Sequence, residues 1–226
     1  MKYSILLFDI DETLLDFKAS EEEAFKNLLK EKNRPYTKEI FTTYDKINKV
    51  LWCELEQEKI SLDTVLNTRF TKTFAALGET VDGVEWEKIY RKCLNEVAVP
   101  MKNALSVCEK LSKTHRLFVI TNGLEITQKS RLIKAGLYNF FEDCFYSAKI
   151  GAQKPSSEFF NYVKASIKGF NPAKALVIGD ALNTDIKGGI NAGMATCLFS
   201  PIPKKQESEI IPNYVISDLN EIFELI

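Results

Sequence analysis

The chain has 226 residues, 45% of them hydrophobic, enough apolar material for an α/β domain that carries a smaller insertion. With 30 basic against 31 acidic side chains the net charge is −1, so no global field draws the protein to nucleic acid polymers or to an anionic membrane. The cysteines (Cys53, Cys93, Cys108, Cys144, Cys197) are widely spaced with no C-x-x-C, which argues against a zinc site or disulfide framework and for reduced thiols in the cytoplasm.

Ile5-Leu6-Leu7-Phe8 is an apolar run bounded by charge, the pattern of a fully buried parallel strand. Asp9 and Asp11 break it too early for a signal peptide, and no stretch reaches the length of a bilayer span, so neither a leader nor a membrane anchor is expected. Ser20-Glu21-Glu22-Glu23 reads as a capping box, and charged amphipathic sequence predicts helices over 20–32, 38–58, 62–76 and 84–97. Breaks fall at Asn33-Arg34-Pro35, around Ser61 and from Gly78 to Gly83, and Pro100 closes the helical stretch.

Beyond Pro100 the texture alternates. A helix near 101–113 leads to the strand Leu117-Phe118-Val119-Ile120, and a helix near 125–135 stops at Gly136, a natural C-cap. A short strand over 143–147, a helix over 156–168, the strand Ala175-Leu176-Val177-Ile178 and a helix over 184–192 follow. Strands at 195–199 and 214–216 and a short terminal helix complete the reading. Strands alternating with helices imply a parallel sheet covered on both faces. The expected organisation is an α/β core over 1–16 and 98–226, interrupted by an all-α domain over 17–97.

Apolar strands thus deliver polar groups to one edge: Asp9 and Asp11, Thr121 and Asn122, and Asp180 with Asp185 shortly after it. Two close carboxylates need a cation between them or a shared proton. Lys154, held in a loop by Pro155, supplies a positive charge. Such a set can hold magnesium, which favours carboxylates, water and substrate phosphate, and can carry phosphoryl transfer by positioning and charge neutralisation.

Asp9-Ile10-Asp11-Glu12-Thr13, Thr121-Asn122-Gly123, Lys154-Pro155 and Gly179-Asp180 with Asp185 resemble, in order, the four motifs of the haloacid dehalogenase superfamily. The resemblance spans nearly the whole chain and implies a Rossmann-like parallel sheet with an inserted helical cap of the first type. It makes Asp9 the nucleophile and Asp11 the general acid/base. Thr121, Asn122 and Lys154 would bind the phosphoryl group. Asp9, the backbone carbonyl of Asp11 and Asp180 would hold Mg2+, and Asp185 would act through a water or by steering Lys154. An acid at position 11 points to the phosphatase branch rather than to the dehalogenases.

A narrower resemblance, to bacterial pyrimidine 5′-nucleotidases, rests on Ile47-Asn48-Lys49-Val50-Leu51-Trp52, on Arg69-Phe70 and on the segment from Gly188 to Cys197. It implies a small phosphorylated substrate, a pyrimidine nucleoside monophosphate, handled by a monomer or weak homo-oligomer. Asn48 and Trp52 lie one helical turn apart and suit recognition of a pyrimidine ring. The competing reading puts Trp52 in the core of the cap and Asn48 on its surface. Arg69 is either a substrate contact or a solvated or ion-paired residue. Phosphoglycolate or sugar-phosphate hydrolysis, a phosphosugar mutase and a non-catalytic nucleotide-binding protein are the alternatives.

His115, at the start of the second strand, is expected at the sheet edge opposite the site, which argues against a mechanism needing a catalytic histidine, including a serine-hydrolase triad. Cys53 is read as a buried structural cysteine, Lys204-Lys205 as solvated loop, and Gly188-Gly189 as close packing of a helix on the sheet rather than a dinucleotide fingerprint.

Overall fold

The computed structural model describes residues 2–57, 59–202 and 209–226, so Lys204-Lys205 lies outside the described residues. The chain divides into two compact units, 1–18 with 98–226, and 19–97. Its strands are β1 (Ile5–Phe8), β2 (Arg116–Thr121), β3 (Asp143–Tyr146), β4 (Ala175–Gly179), β5 (Ala195–Phe199) and β6 (Tyr214–Ile216). Its helices are α1 (Phe17–Glu31), α2 (Lys38–Glu56), α3 (Leu62–Ala76), α4 (Gly83–Asn95), α5 (Ala104–Leu111), α6 (Glu125–Lys134), α7 (Ser147–Ile150), α8 (Ser157–Ser166) and α9 (Lys187–Asn191).

The strands form one parallel sheet in the order β3-β2-β1-β4-β5-β6. β1 runs between β2 and β4, with Phe8 level with Val119 on one side and Ile178 on the other. Strand order therefore reverses at β1, and in open α/β sheets ligands bind at the carboxyl ends of the strands at such a switch. The continuous apolar run of β1 reflects burial on both faces. Leu6 and Phe8 pack into one layer with Val107, Leu111 and Leu132, while Ile5 and Leu7 enter the other with Phe159, Phe160 and Val163. Each such side chain contributes roughly 1.5–3 kcal/mol on burial. Gly189 of α9 allows the expected close approach to the sheet, whereas Gly188 faces α8 instead. A Cβ on Gly188 would overlap the Phe160 ring, and one on Gly189 would lie 2.6 Å from Thr196 Cγ2.

After β1 the chain makes a tight turn in which Glu12 takes a left-handed conformation (φ 56°) and donates its N–H to Leu15 O at 2.8 Å. The segments leading into and out of the insertion run side by side. Asp16 N donates to Val99 O at 2.8 Å and Met101 N to Leu14 O at 2.9 Å. One expectation is corrected here: α1 starts at Phe17, so Ser20 is a buried residue inside the helix rather than its N-cap. The physical reason lies upstream, where the Glu12 carboxylate accepts the Lys18 N–H at 2.9 Å and serves the helix start from the loop.

The unit 19–97 is helical. Thr37, Ser61 and Asp82 cap α2, α3 and α4 through their side-chain oxygens. Its core is aromatic: Phe25 lies beside Tyr44 at a centroid distance of 4.7 Å, Tyr44 stacks on Phe70 at 5.3 Å, and Trp86 packs on Phe74 at 4.3 Å. Cys53 is exposed rather than buried, because the buried stripe of α2 runs through Tyr44, Asn48 and Leu51 and leaves it outside. Among the described residues no helix is long and apolar enough to cross a membrane.

Candidate active site

Asp9 leaves β1 with its N–H donated to Ile178 O at 2.9 Å, which fixes the residue between the ends of β2 and β4. Its carboxylate accepts from Lys154 Nζ at 2.7 Å. The same ammonium donates to Asp185 Oδ1 at 2.6 Å and to Ile120 O at 3.1 Å, so all three of its protons are used. Asp185 sits in a π-helical turn, Leu182–Ile186, and presses so closely on β4 that a Cβ at Gly179 would collide with its carboxylate. Oxygens of Asp9, Asp180 and Asp185 lie within 4.8 Å of one another.

The electrostatics follow from burial. Loss of water pushes the Asp9 carboxyl well above the usual carboxylate range, Lys154 opposes that shift, and Asp185, Asp180 and Asp11 add to it. Burial alone would lower the Lys154 ammonium, but Asp185 and Asp9 raise it and keep it charged. The loop that carries Lys154 is held by Asn122, whose side chain accepts from Lys154 N at 2.9 Å and donates to Lys154 O at 3.1 Å. The Asn122 side chain thus acts on the lysine loop. Thr121 Oγ1 accepts from Gly123 N at 3.0 Å and from Gln128 Nε2 at 3.1 Å, which leaves its own O–H to donate.

Across residues 3–193 the chain matches the family model of the haloacid dehalogenase-like hydrolases. It belongs to that family. The HAD-hydrolase YfnB of Bacillus subtilis (strain 168) is 40% identical to this hydrolase over 225 residues, covering 100% of this chain and 96% of the relative. A crystal structure of YfnB bound to magnesium superposes with a TM-score of 0.95, covering 100% of this chain and 99% of that one. The pyrimidine 5′-nucleotidase PynA of Streptococcus pneumoniae is 34% identical, with 99% of this chain and 95% of PynA covered. The pyrimidine 5′-nucleotidase YjjG of Escherichia coli is 28% identical, with 100% and 99% covered.

The hydrolase keeps Asp9, Thr121, Lys154, Asp180 and Asp185 in its α/β unit, where Asp11 turns to partners that sequence reading missed. Arg131 NH1 donates to Asp11 Oδ1 and Gln128 Nε2 to Asp11 Oδ2, both at 2.6 Å. A signal was present: the buried stripe of α6 contains Thr127, Gln128, Arg131 and Leu132, so polar side chains occupy positions where an amphipathic helix places apolar ones.

Asn48, Trp52 and Arg69 belong to the helical unit. Arg69 is wholly buried rather than solvated, and its guanidinium forms a two-pronged pair with Glu87 at 2.7 and 2.8 Å. It also donates to Asn48 Oδ1 at 3.1 Å and to Tyr44 Oη at 3.2 Å, while Asn48 Nδ2 donates to Glu21 Oε1 at 2.8 Å. The packing reading therefore has its two residues reversed: Asn48 is buried and Trp52 is half-buried. His115 lies at the opposite end of β2 from Thr121, its Nδ1 beside Thr114 Oγ1 at 2.8 Å.

Proposed function

We propose that this hydrolase is a Mg2+-dependent phosphomonoesterase that works through an aspartyl-phosphate on Asp9, with pyrimidine nucleoside monophosphates as its substrates. The observation that carries the reading is the junction of Asp9, Asp185 and Lys154 at the strand-order switch, with Asp180 and the Thr121 hydroxyl beside it. The oxygens of the three carboxylates lie close enough to share a divalent cation, and an all-oxygen donor set suits magnesium. Asp9 and Asp180, with the backbone carbonyl of Asp11, would hold the ion, and Asp185 would orient Lys154 and bear on the ion through water. Bound there, magnesium would neutralise charge on the transferring phosphoryl oxygens.

Asp9 attacks phosphorus, forming an acyl-phosphate bond as the bond to the leaving oxygen breaks. Asp11 gives its proton to that oxygen and then takes one from the water that cleaves the aspartyl-phosphate, which returns Asp9 to its starting state. Lys154 balances charge at the nucleophile, and the Thr121 O–H donates to a phosphoryl oxygen.

The substrate class is supported by the names of PynA and YjjG, which match nearly the full chain. Units 1–18 with 98–226 and 19–97 act as catalytic core and substrate-selecting cap. Within the cap Asn48 and Arg69 serve selection through the network that shapes it, and the half-buried Trp52 is the residue offered to the base. A phosphate-release screen with magnesium, over nucleoside monophosphates, sugar phosphates and phosphoglycolate, tests the reading. Uridine and cytidine monophosphates should be turned over best, and Trp52→Ala should level the preference among bases more than it slows p-nitrophenyl phosphate. Faster release from a sugar phosphate or phosphoglycolate would contradict the substrate class, and release unaffected by chelation would contradict the metal.

A further inference from the structure

Arg131 has the largest of the fully buried side chains, at 0% exposure, yet only its NH1 finds hydrogen-bond partners among the described residues: Asp11 Oδ1 at 2.6 Å and Gln128 Oε1 at 2.8 Å. Nε and NH2 have none, and the guanidinium carbon stands 5.1 Å from the centre of the Phe17 ring. Its ionic partner Asp11 remains 32% exposed. Burying a guanidinium with two of its three nitrogens unbonded is unfavourable, and a buried ion pair is often replaceable by apolar side chains at no loss of stability. Stability does not account for this arginine.

Its geometry does. Gln128, three residues earlier on the same face of α6, donates through one Nε2 to Asp11 Oδ2 at 2.6 Å and to Thr121 Oγ1 at 3.1 Å. A Cβ at Gly123 would overlap the Gln128 side chain, so the glycine after Thr121-Asn122 makes room for this bridge. Both oxygens of Asp11 are thereby held, one by each side chain, and the acid is tied to the hydroxyl assigned to the phosphoryl group. Each carboxylate oxygen keeps a further lone pair for the travelling proton.

We infer that Gln128 and Arg131 are positioning residues that hold Asp11 in register with Thr121 for proton delivery to the leaving oxygen. The inference rests on the reading of Asp11 as the general acid/base. It separates two kinds of ester. A nucleoside 5′-oxygen needs a proton as its bond to phosphorus breaks, whereas 2,4-dinitrophenolate leaves without one, so displacing Asp11 slows the first reaction selectively.

The test compares kcat/KM for uridine 5′-monophosphate and for 2,4-dinitrophenyl phosphate, with melting temperatures, in the full-length wild type, Asp11→Asn, Arg131→Met, Arg131→Lys, Gln128→Met and the Asp11→Asn/Arg131→Met pair. Asp11→Asn should lose about 10²–10⁴-fold on the nucleotide and far less on the activated ester. Arg131→Met should lose at least about tenfold on the nucleotide and less than about threefold on the activated ester, without a fall in melting temperature. Arg131→Lys should recover part of that loss, and the double variant should be no slower than Asp11→Asn. If Arg131→Met does not fold, Arg131→Lys and Gln128→Met decide by the same ratio. Equal losses on both esters in the Arg131 and Gln128 variants, with Asp11→Asn still selective, would overturn the positioning role. Equal losses in Asp11→Asn itself would instead overturn the acid role on which the inference stands.

Discussion

Lys154 is buried, and its ammonium is held by two carboxylates and a carbonyl. The chain tolerates this because the pair of acids compensates the buried charge, and because Asn122 fixes the backbone on which the lysine hangs. Removing the ammonium leaves Asp9 and Asp185 facing each other in a dry site. Lys154→Met should therefore cost about 3–5 kcal/mol of unfolding free energy at pH 7 without metal. The deficit should shrink in acid, where the Asp9 carboxyl, raised by burial and no longer opposed by Lys154, takes up a proton. Urea unfolding of both proteins at pH 7 and pH 5 in chelator checks this; the same deficit at both pH values would contradict it. At this scale the sequence was readable for residues at the ends of apolar strands, where Asp9, Thr121 and Asp180 stand. It was not readable for Arg131, because a charge on a helix face usually marks solvent and only the fold shows that this one points inward.

Among the elements, the four helices of the insertion follow amphipathic periodicity, but what they bury is partly polar. Glu21 of α1 accepts from Asn48 and Tyr44 of α2, and Arg69 of α3 ties both to Glu87 of α4. Burial pushes the Glu21 carboxyl up to about 7; Arg69 and the Tyr44 hydrogen bond pull it down, Asp45 adds to the rise, and Lys49 opposes it. The folded chain thus binds this proton more tightly than the unfolded chain does. The group's contribution is fully present below about pH 4.5 and is lost as pH rises to about 7, a change of roughly 3 kcal/mol. Glu21→Gln keeps the acceptor oxygen without the charge. Its unfolding free energy should gain on the wild type between pH 4.5 and 7 and run parallel above that. Parallel curves throughout would show that Glu21 does not titrate in this range. In the α/β unit, α9 lies on the sheet through Gly189 and against α8 through Gly188. Gly188→Ala drives a methyl into the Phe160 ring and should cost about 1–3 kcal/mol in denaturant unfolding, with an unchanged m-value. A variant as stable as the wild type would mean that α9 and the Phe160 ring of α8 can move apart freely. Strand positions were legible because both faces of the sheet are buried and the runs are apolar throughout. The start of α1 was not, because a glutamate in the preceding turn replaces the local cap that the sequence displays.

For the whole molecule, a sheet whose order reverses at β1 gathers Asp9, Thr121, Asp180 and the Lys154 loop from segments far apart in the chain. The order of the motifs along the sequence carried this gathering, since parallel strands put their carboxyl ends on one edge. Selection among substrates is not carried that way. In the proposed function it rests on the helical unit, where the sequence offers Asn48, Trp52 and Arg69 alike and the fold buries Asn48 and Arg69 in one network. The central claim is that Asp9 becomes phosphorylated. Acid quench during turnover of uridine 5′-monophosphate, followed by borohydride reduction, converts an acyl-phosphate on aspartate to homoserine, which peptide mass spectrometry locates. The account predicts homoserine at residue 9 in the wild type and none in Asp9→Asn. Steady turnover with aspartate intact at position 9, or homoserine at another acid, would contradict it.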